Sequence, residues 1–193
     1  MSLSPLELLA AITGVLGVWL STRESVWNWP VGLVNVALYA VVFYGARLYA
    51  DMGLQVIYFI LCAYGWWAWL HGGANRGALH VSRVSLTLAT VLLVIAIAFA
   101  VLLGAVLHYG TDASYPWLDS ALASGSLVAQ YMLTRKQLEN WIVWIVVDAI
   151  YVGLYVAKGL QLTAILYAIF LALAILGLRQ WRRSMHADAA LAT

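Results

Sequence analysis

The sequence predicts an all-α membrane protein with seven transmembrane helices in a 3+1+3 arrangement, in which two parallel three-helix repeats are joined by one linking span. Three observations predict it. The chain is 65% hydrophobic and 9% charged over 193 residues; its charged and turn residues separate seven apolar runs of span length; and the pattern Thr22-Arg23 with Asn28-Trp29 recurs as Thr134-Arg135 with Asn140-Trp141. An average soluble domain is roughly 45–50% apolar and about 25% charged, so a water-soluble fold could not cover such a core. A bilayer crossing needs about 20 mostly apolar residues, because the hydrocarbon is about 30 Å thick and a helix rises about 1.5 Å per residue. A membrane barrel would instead show alternating segments of about 10 residues. The runs here are continuous, and backbone groups facing lipid must be satisfied within the element, so they read as helices.

In chain order the runs cover about 6–22, 29–48, 51–71, 85–107, 117–134, 138–158 and 161–181, and a short tail follows over 182–193. Together they make a single transmembrane domain, with repeat one over about 6–71, the linking helix over about 85–107 and repeat two over about 117–181. Polar and turn residues punctuate them: Thr22 and Arg23 close the first run, His71 the third, Thr134 and Arg135 the fifth, and Lys158 and Gly159 the sixth. The fourth run is apolar apart from Ser85, Thr87, Thr90 and Gly104. Seven spans put the termini on opposite sides. With the N-terminus outside, the inner loops and tail hold Arg23, Arg76, Arg83, Arg135, Lys136, Arg179, Arg182 and Arg183, against Arg47 and Lys158 outside. Cytoplasmic loops carry the Lys and Arg excess, so the N-terminus is predicted outside and the C-terminus in the cytoplasm. The loop after the fourth run, with His108, Asp112 and Asp119 and no Lys or Arg, agrees.

The offset that carries Thr22 onto Thr134 also brings Arg23, Asn28 and Trp29 onto Arg135, Asn140 and Trp141, and it continues through Tyr39 to Tyr151 and Phe43 to Tyr155. Farther on, Gly65 and Trp69 meet Gly177 and Trp181, with a local gap because Tyr58 aligns better with Tyr167. Both Thr-Arg pairs fall in predicted inner loops, so the two triplets run in the same direction. Such triplets need an odd span between them, which gives the featureless fourth run its role. Parallel repeats of this kind are a transporter architecture, with substrate held near the midplane between the halves.

Several function classes are excluded. No basic region or processing site marks a cleavable signal at the start. Cys62 is the only cysteine, so neither an internal disulfide nor a CxxC motif exists. The net charge of +2 does not argue for nucleic acid. His71, His80, His108 and His186 fall in loops, interfaces or the tail, which argues against intramembrane proteolysis and haem ligation. No enzyme activity, cofactor or metal is expected.

A polar side chain at membrane depth costs a few kcal/mol, so each asks for a reason. Trp141, Trp144, Asp148, Tyr151 and Tyr155 recur every three or four residues and line one face of the sixth helix, setting aromatic surfaces beside a carboxylate. Trp141 sits at belt depth, Trp144 a turn deeper, and Asp148 about ten residues into the span. Asn35 shares a face with Tyr39, and Gln55 with Tyr58. Ser120, Ser124, Gln130 and Thr134 form a strip on the fifth helix, where Gln130 counts for most because Ser and Thr in membrane helices commonly bond backbone. Trp66, Trp67 and Trp69 end the third span where an interfacial belt is the default. Amides, a carboxylate and aromatic faces suit a small ligand with hydroxyls and a flat, cationic ring.

These residues resemble the PnuC family of bacterial vitamin transporters, which share their architecture with the SWEET sugar carriers. The resemblance covers nearly the whole chain. It is carried by Gly32-Leu33-Val34-Asn35-Val36, Leu54-Gln55-Val56, Tyr64-Gly65-Trp66-Trp67-Ala68-Trp69, Trp117-Leu118-Asp119-Ser120, and above all Thr134-Arg135-Lys136 with Glu139-Asn140-Trp141-Ile142-Val143-Trp144. It implies uptake of nicotinamide riboside across the bacterial inner membrane by facilitated diffusion, trapping by a cytoplasmic kinase, and a homotrimer. Binding would fall on Asn35, Gln55, Gln130, Trp141, Trp144, Asp148 and Tyr151. One departure stands out: nicotinamide riboside carriers of the family have Asn where this chain has Asp148. Nicotinamide riboside and thiamine both carry a positive ring and riboflavin does not, so nicotinamide riboside ranks first, thiamine second and riboflavin last.

Overall fold

The computed structural model describes residues 5–45, 49–111 and 114–191; Arg47 and Asp112 of the charge argument lie outside them. Seven long helices follow in order: α1 (Pro5–Thr22), α2 (Asn28–Gly45), α3 (Tyr49–His71), α4 (Leu86–Gly110), α5 (Pro116–Thr134), α6 (Asn140–Ala157) and α7 (Gln161–Leu191). Two starts carry recognisable local signals. Pro116 opens α5 at a position whose N–H has no intrahelical partner, and the Ser85 hydroxyl caps α4 by accepting from the Leu88 N–H at 3.2 Å. Six of the helices are long and apolar enough to cross a membrane. α5 falls short because Ser120, Ser124, Ser126, Gln130 and Thr134 interrupt its 19 residues. α7 does not stop at 181 but continues as helix to Leu191. On that extension the Asp188 carboxylate meets His80 at 2.9 Å.

The helices close a ring in which α1 packs on α2, α2 on α3, α3 on α5, α5 on α6, α6 on α7 and α7 on α1, while α4 lies outside against α5. Small residues set that last contact. A Cβ on Gly104 would overlap Trp117 and Ser120, and the Ser124 hydroxyl donates to the Ala96 carbonyl of α4 at 2.7 Å. The polar strip of α5 is thereby divided: Ser120, Ser126 and Thr134 donate to carbonyls of their own helix, Ser124 holds α4, and Gln130 faces the ring's interior.

At one end of the ring four tryptophans form a continuous cluster. Trp29 meets Trp69 edge-on with centroids 5.2 Å apart, Trp141 meets Trp181 edge-on at 5.3 Å, and Trp69 and Trp181 adjoin at 5.9 Å. Edge-to-face rings at this spacing are favoured by the aromatic quadrupole. A side chain at Gly65 would overlap the Trp29 ring, and one at Gly177 would overlap Trp141. The Trp69 Nε1–H donates to the Leu133 carbonyl, and the Trp181 Nε1–H to that of Ser21, both at 3.0 Å. The glycine contacts and the two indole hydrogen bonds therefore fall at positions matched by the same offset that carries Trp29 onto Trp141. The belt expected at the end of α3 is split: Trp66 and Trp67 are exposed, whereas Trp69 is core.

Candidate functional site

Inside the ring lies a cavity of ≈ 1280 Å³. That exceeds the about 300–1,000 Å³ of a typical small-molecule pocket, so it includes an approach as well as a seat. Its floor is built from buried Ser21, Asn28, Trp29, Leu133 and Trp141 beside the tryptophan cluster, and its rim carries exposed Gly53, Thr111 and Lys158 at the other end. The cavity thus opens toward the α2–α3, α4–α5 and α6–α7 connections.

All seven residues singled out by sequence line this one cavity. α6 contributes Trp141, Trp144, Asp148 and Tyr151, because spacings of three and four residues return side chains to one helical face. Trp141 is almost fully buried, its ring held between Gly177 and Trp181, so only its edge is left to the cavity. Trp144 is half-buried one turn higher, with its ring on the cavity wall. Asp148 is 4% exposed. Among the described residues its carboxylate has no hydrogen bond or ion pair from the protein. A buried carboxylate without a partner is costly as the anion, so it is either neutral or met by a compensating cation. Above it Tyr151 stacks on Tyr155 at 5.6 Å and meets Tyr167 at 4.6 Å.

The other three residues come from the facing helices. The Asn35 Nδ2 donates to the Ala10 carbonyl at 2.6 Å and to the Thr13 hydroxyl at 3.1 Å, which ties α2 to α1 and leaves its carbonyl oxygen for the cavity. Gln55 lies half-buried in the half nearer the rim. The Gln130 amide reaches the Cys62 sulfur at 3.7 Å. Sequence reasoning did not assign Tyr167, Phe170 or Thr13 to the site, although all three line it. For Tyr167 the signal was present in its alignment with Tyr58. Thr13 gave none, because its hydroxyl bonds to carbonyls of its own helix.

A ring of apolar helices around an aromatic and polar cavity defines a multi-pass membrane protein with an internal cavity of small-molecule size. The chain belongs to the nicotinamide mononucleotide transporter family, whose model matches residues 4–183. It is 30% identical to the nicotinamide riboside transporter PnuC of Escherichia coli, over 94% of this chain and 87% of that one. It is equally 30% identical to the riboflavin/roseoflavin transporter RibM of Streptomyces davaonensis, over 91% and 83%. The crystal structure of a vitamin B3 transporter PnuC superposes with a TM-score of 0.72 at 23% identity, covering 93% of this chain and 81% of that chain, a likeness of fold.

Proposed function

We propose that the chain is a carrier, not an enzyme, that takes up nicotinamide riboside by facilitated diffusion. The observation that carries this is the buried, unpartnered Asp148 carboxylate beside the Trp144 ring, in a cavity enclosed by membrane-crossing helices. A desolvated aromatic face attracts a cationic ring, and a carboxylate at short range in low dielectric adds to that attraction. Asn35, Gln55 and Gln130 supply amide partners for ribose hydroxyls. Trp141, Trp144, Asp148 and Tyr151 form the ring-binding wall.

The 3+1+3 plan is part of this reading. It is supported by the closed order of helix contacts, α1-α2-α3-α5-α6-α7, with α4 outside it, and by tryptophan contacts that recur from one triplet to the other at matched positions. With α5 counted as the seventh crossing, the Lys and Arg bias supports an N-terminus outside and a C-terminus, with the extension of α7, in the cytoplasm. The homotrimer and the trapping kinase follow from the family resemblance.

Calorimetry on the purified protein with nicotinamide riboside, thiamine and riboflavin tests the substrate. Nicotinamide riboside is expected to bind tightest, and Asp148→Asn to weaken it more than it weakens riboflavin. The 30% identity to a riboflavin carrier favours a second reading. Tighter binding of riboflavin, indifferent to Asp148→Asn, would establish that reading instead. Proteoliposomes holding only buffer should take up labelled ligand down its gradient, and strict dependence on a proton or sodium gradient would exclude a uniporter.

A further inference from the structure

Beneath the floor of the cavity, behind the Trp29–Trp69 contact, lies an ion pair that the substrate reading does not use. Glu24 lies in the α1–α2 connection and Lys136 in the α5–α6 connection, at positions matched by the repeat, and their side chains meet at 2.8 Å. The Lys136 Nζ also sits 4.6 Å from the centre of the Trp69 ring. Both residues adopt left-handed backbone conformations, Glu24 at φ 53° and Lys136 at φ 49°. These are the left-handed ends of α1 and α5, closed by bonds from the Ser25 N–H to the Leu20 carbonyl and from the Gln137 N–H to that of Met132, and they fix where the two side chains leave the loops. The pair, and the bonds from Trp69 to the Leu133 carbonyl and from Trp181 to that of Ser21, all cross between the α1–α3 half and the α5–α7 half at the closed end of the cavity.

The same end holds polar atoms with no hydrogen-bond partner in the protein: Asn28 Oδ1, Trp29 Nε1, Asn140 Oδ1 and Trp141 Nε1. Buried unpaired groups weigh against the arrangement that buries them. Separating the halves at this end would hydrate all four while breaking the cross-links that hold them dry. Two discrete arrangements of opposite advantage are what a bistable element needs.

We propose that Glu24, Lys136 and the four tryptophans form the closed inner gate of the carrier, and that opening it separates Glu24 from Lys136. The proposal rests on the carrier reading but is tested without any substrate. Cys62, the sole cysteine, lines the cavity above this floor. Its modification by a membrane-impermeant methanethiosulfonate, applied from the face of the α1–α2 and α5–α6 loops, reports opening of the gate. Gly17→Cys in a Cys62→Ala background gives a second reporter on the same lining, where a Cβ meets only Val31 and the Asn28 carbonyl at ordinary distances.

Glu24→Gln and Lys136→Gln are each expected to raise the labelling rate from that face about tenfold at one or both reporters. The swap Glu24→Lys with Lys136→Glu is expected to bring it back toward wild type, which general loosening of the fold would not do. Unchanged labelling of both reporters from that face in variants that elute and melt as wild type overturns the gate, as does a swap no slower than the single changes. A gate that responds in this way in a protein that binds none of the three vitamins would refute the substrate assignment and leave the gate standing.

Discussion

The floor and the middle of the cavity are built from positions related by the offset that carries Trp29 onto Trp141, yet they differ in kind. At the floor the mates are alike: Trp29 and Trp141 each rest on a glycine, and Trp69 and Trp181 each donate to a carbonyl on the other half. Nearer the rim the likeness persists in two stacked pairs, Tyr39 on Phe43 at 5.7 Å and Tyr151 on Tyr155 at 5.6 Å. Between these layers it fails, since Trp144 answers to Gly32 and Asp148 to Val36. Packing two equivalent halves against each other rewards the same residue in both places. A ligand with one charged ring has no such symmetry, and under the proposed site it would meet a plate and a carboxylate on one side and open room on the other.

The comparison can be broken most severely at the floor. Trp29→Ala and Trp141→Ala should each destabilise the protein by about 3–5 kcal/mol, the cost of emptying a buried indole site, and by similar amounts in thermal unfolding in detergent. A large inequality would mean that the two halves do not share the load. Gly65→Val and Gly177→Val should each cost about 1–3 kcal/mol through overpacking against those rings, read from the same melts. In the middle layer the mates should diverge. Trp144→Ala is expected to weaken binding by about 1–3 kcal/mol, as for loss of a base-stacking aromatic, while Gly32→Ala, whose Cβ would touch only the Cys62 sulfur, should leave the melting temperature nearly unchanged. Calorimetry giving Trp144→Ala the wild-type affinity would remove it from the site. Asn35→Ala, which loses the bonds to Ala10 and Thr13, should cost about 1 kcal/mol of stability in the same melts, so that only Gly32→Ala has a smaller effect.

Much of this is legible in the sequence. Hydropathy locates the helices to within a few residues, apart from the polar extension of α7 from 181 to Leu191, because the bilayer sets the length and composition of a span but not of a helix that leaves it. The period of α6 collects Trp141, Trp144, Asp148 and Tyr151 on one face, since a single helix carries its own register. What fails is anything requiring knowledge of the facing surface. Trp69 and Trp66 lie one helical turn apart, and composition alone makes both belt residues; only the neighbour across the ring buries one of them. The Glu24–Lys136 contact is equally hidden, because two loop charges of opposite sign do not reveal that their loops meet.

By itself the sequence determined an all-helical, multi-pass chain with an internal register that sets Thr22 against Thr134, and an aromatic, acidic face on the sixth helix. Those properties follow from hydrophobic length and helical period, which are local. The tertiary structure alone decided that six of the helices close a ring, that Asn35, Gln55 and Gln130 share one cavity with that face, and that four indoles and an ion pair gather at one end of it. These depend on which surfaces are desolvated against each other, and no single segment carries that information.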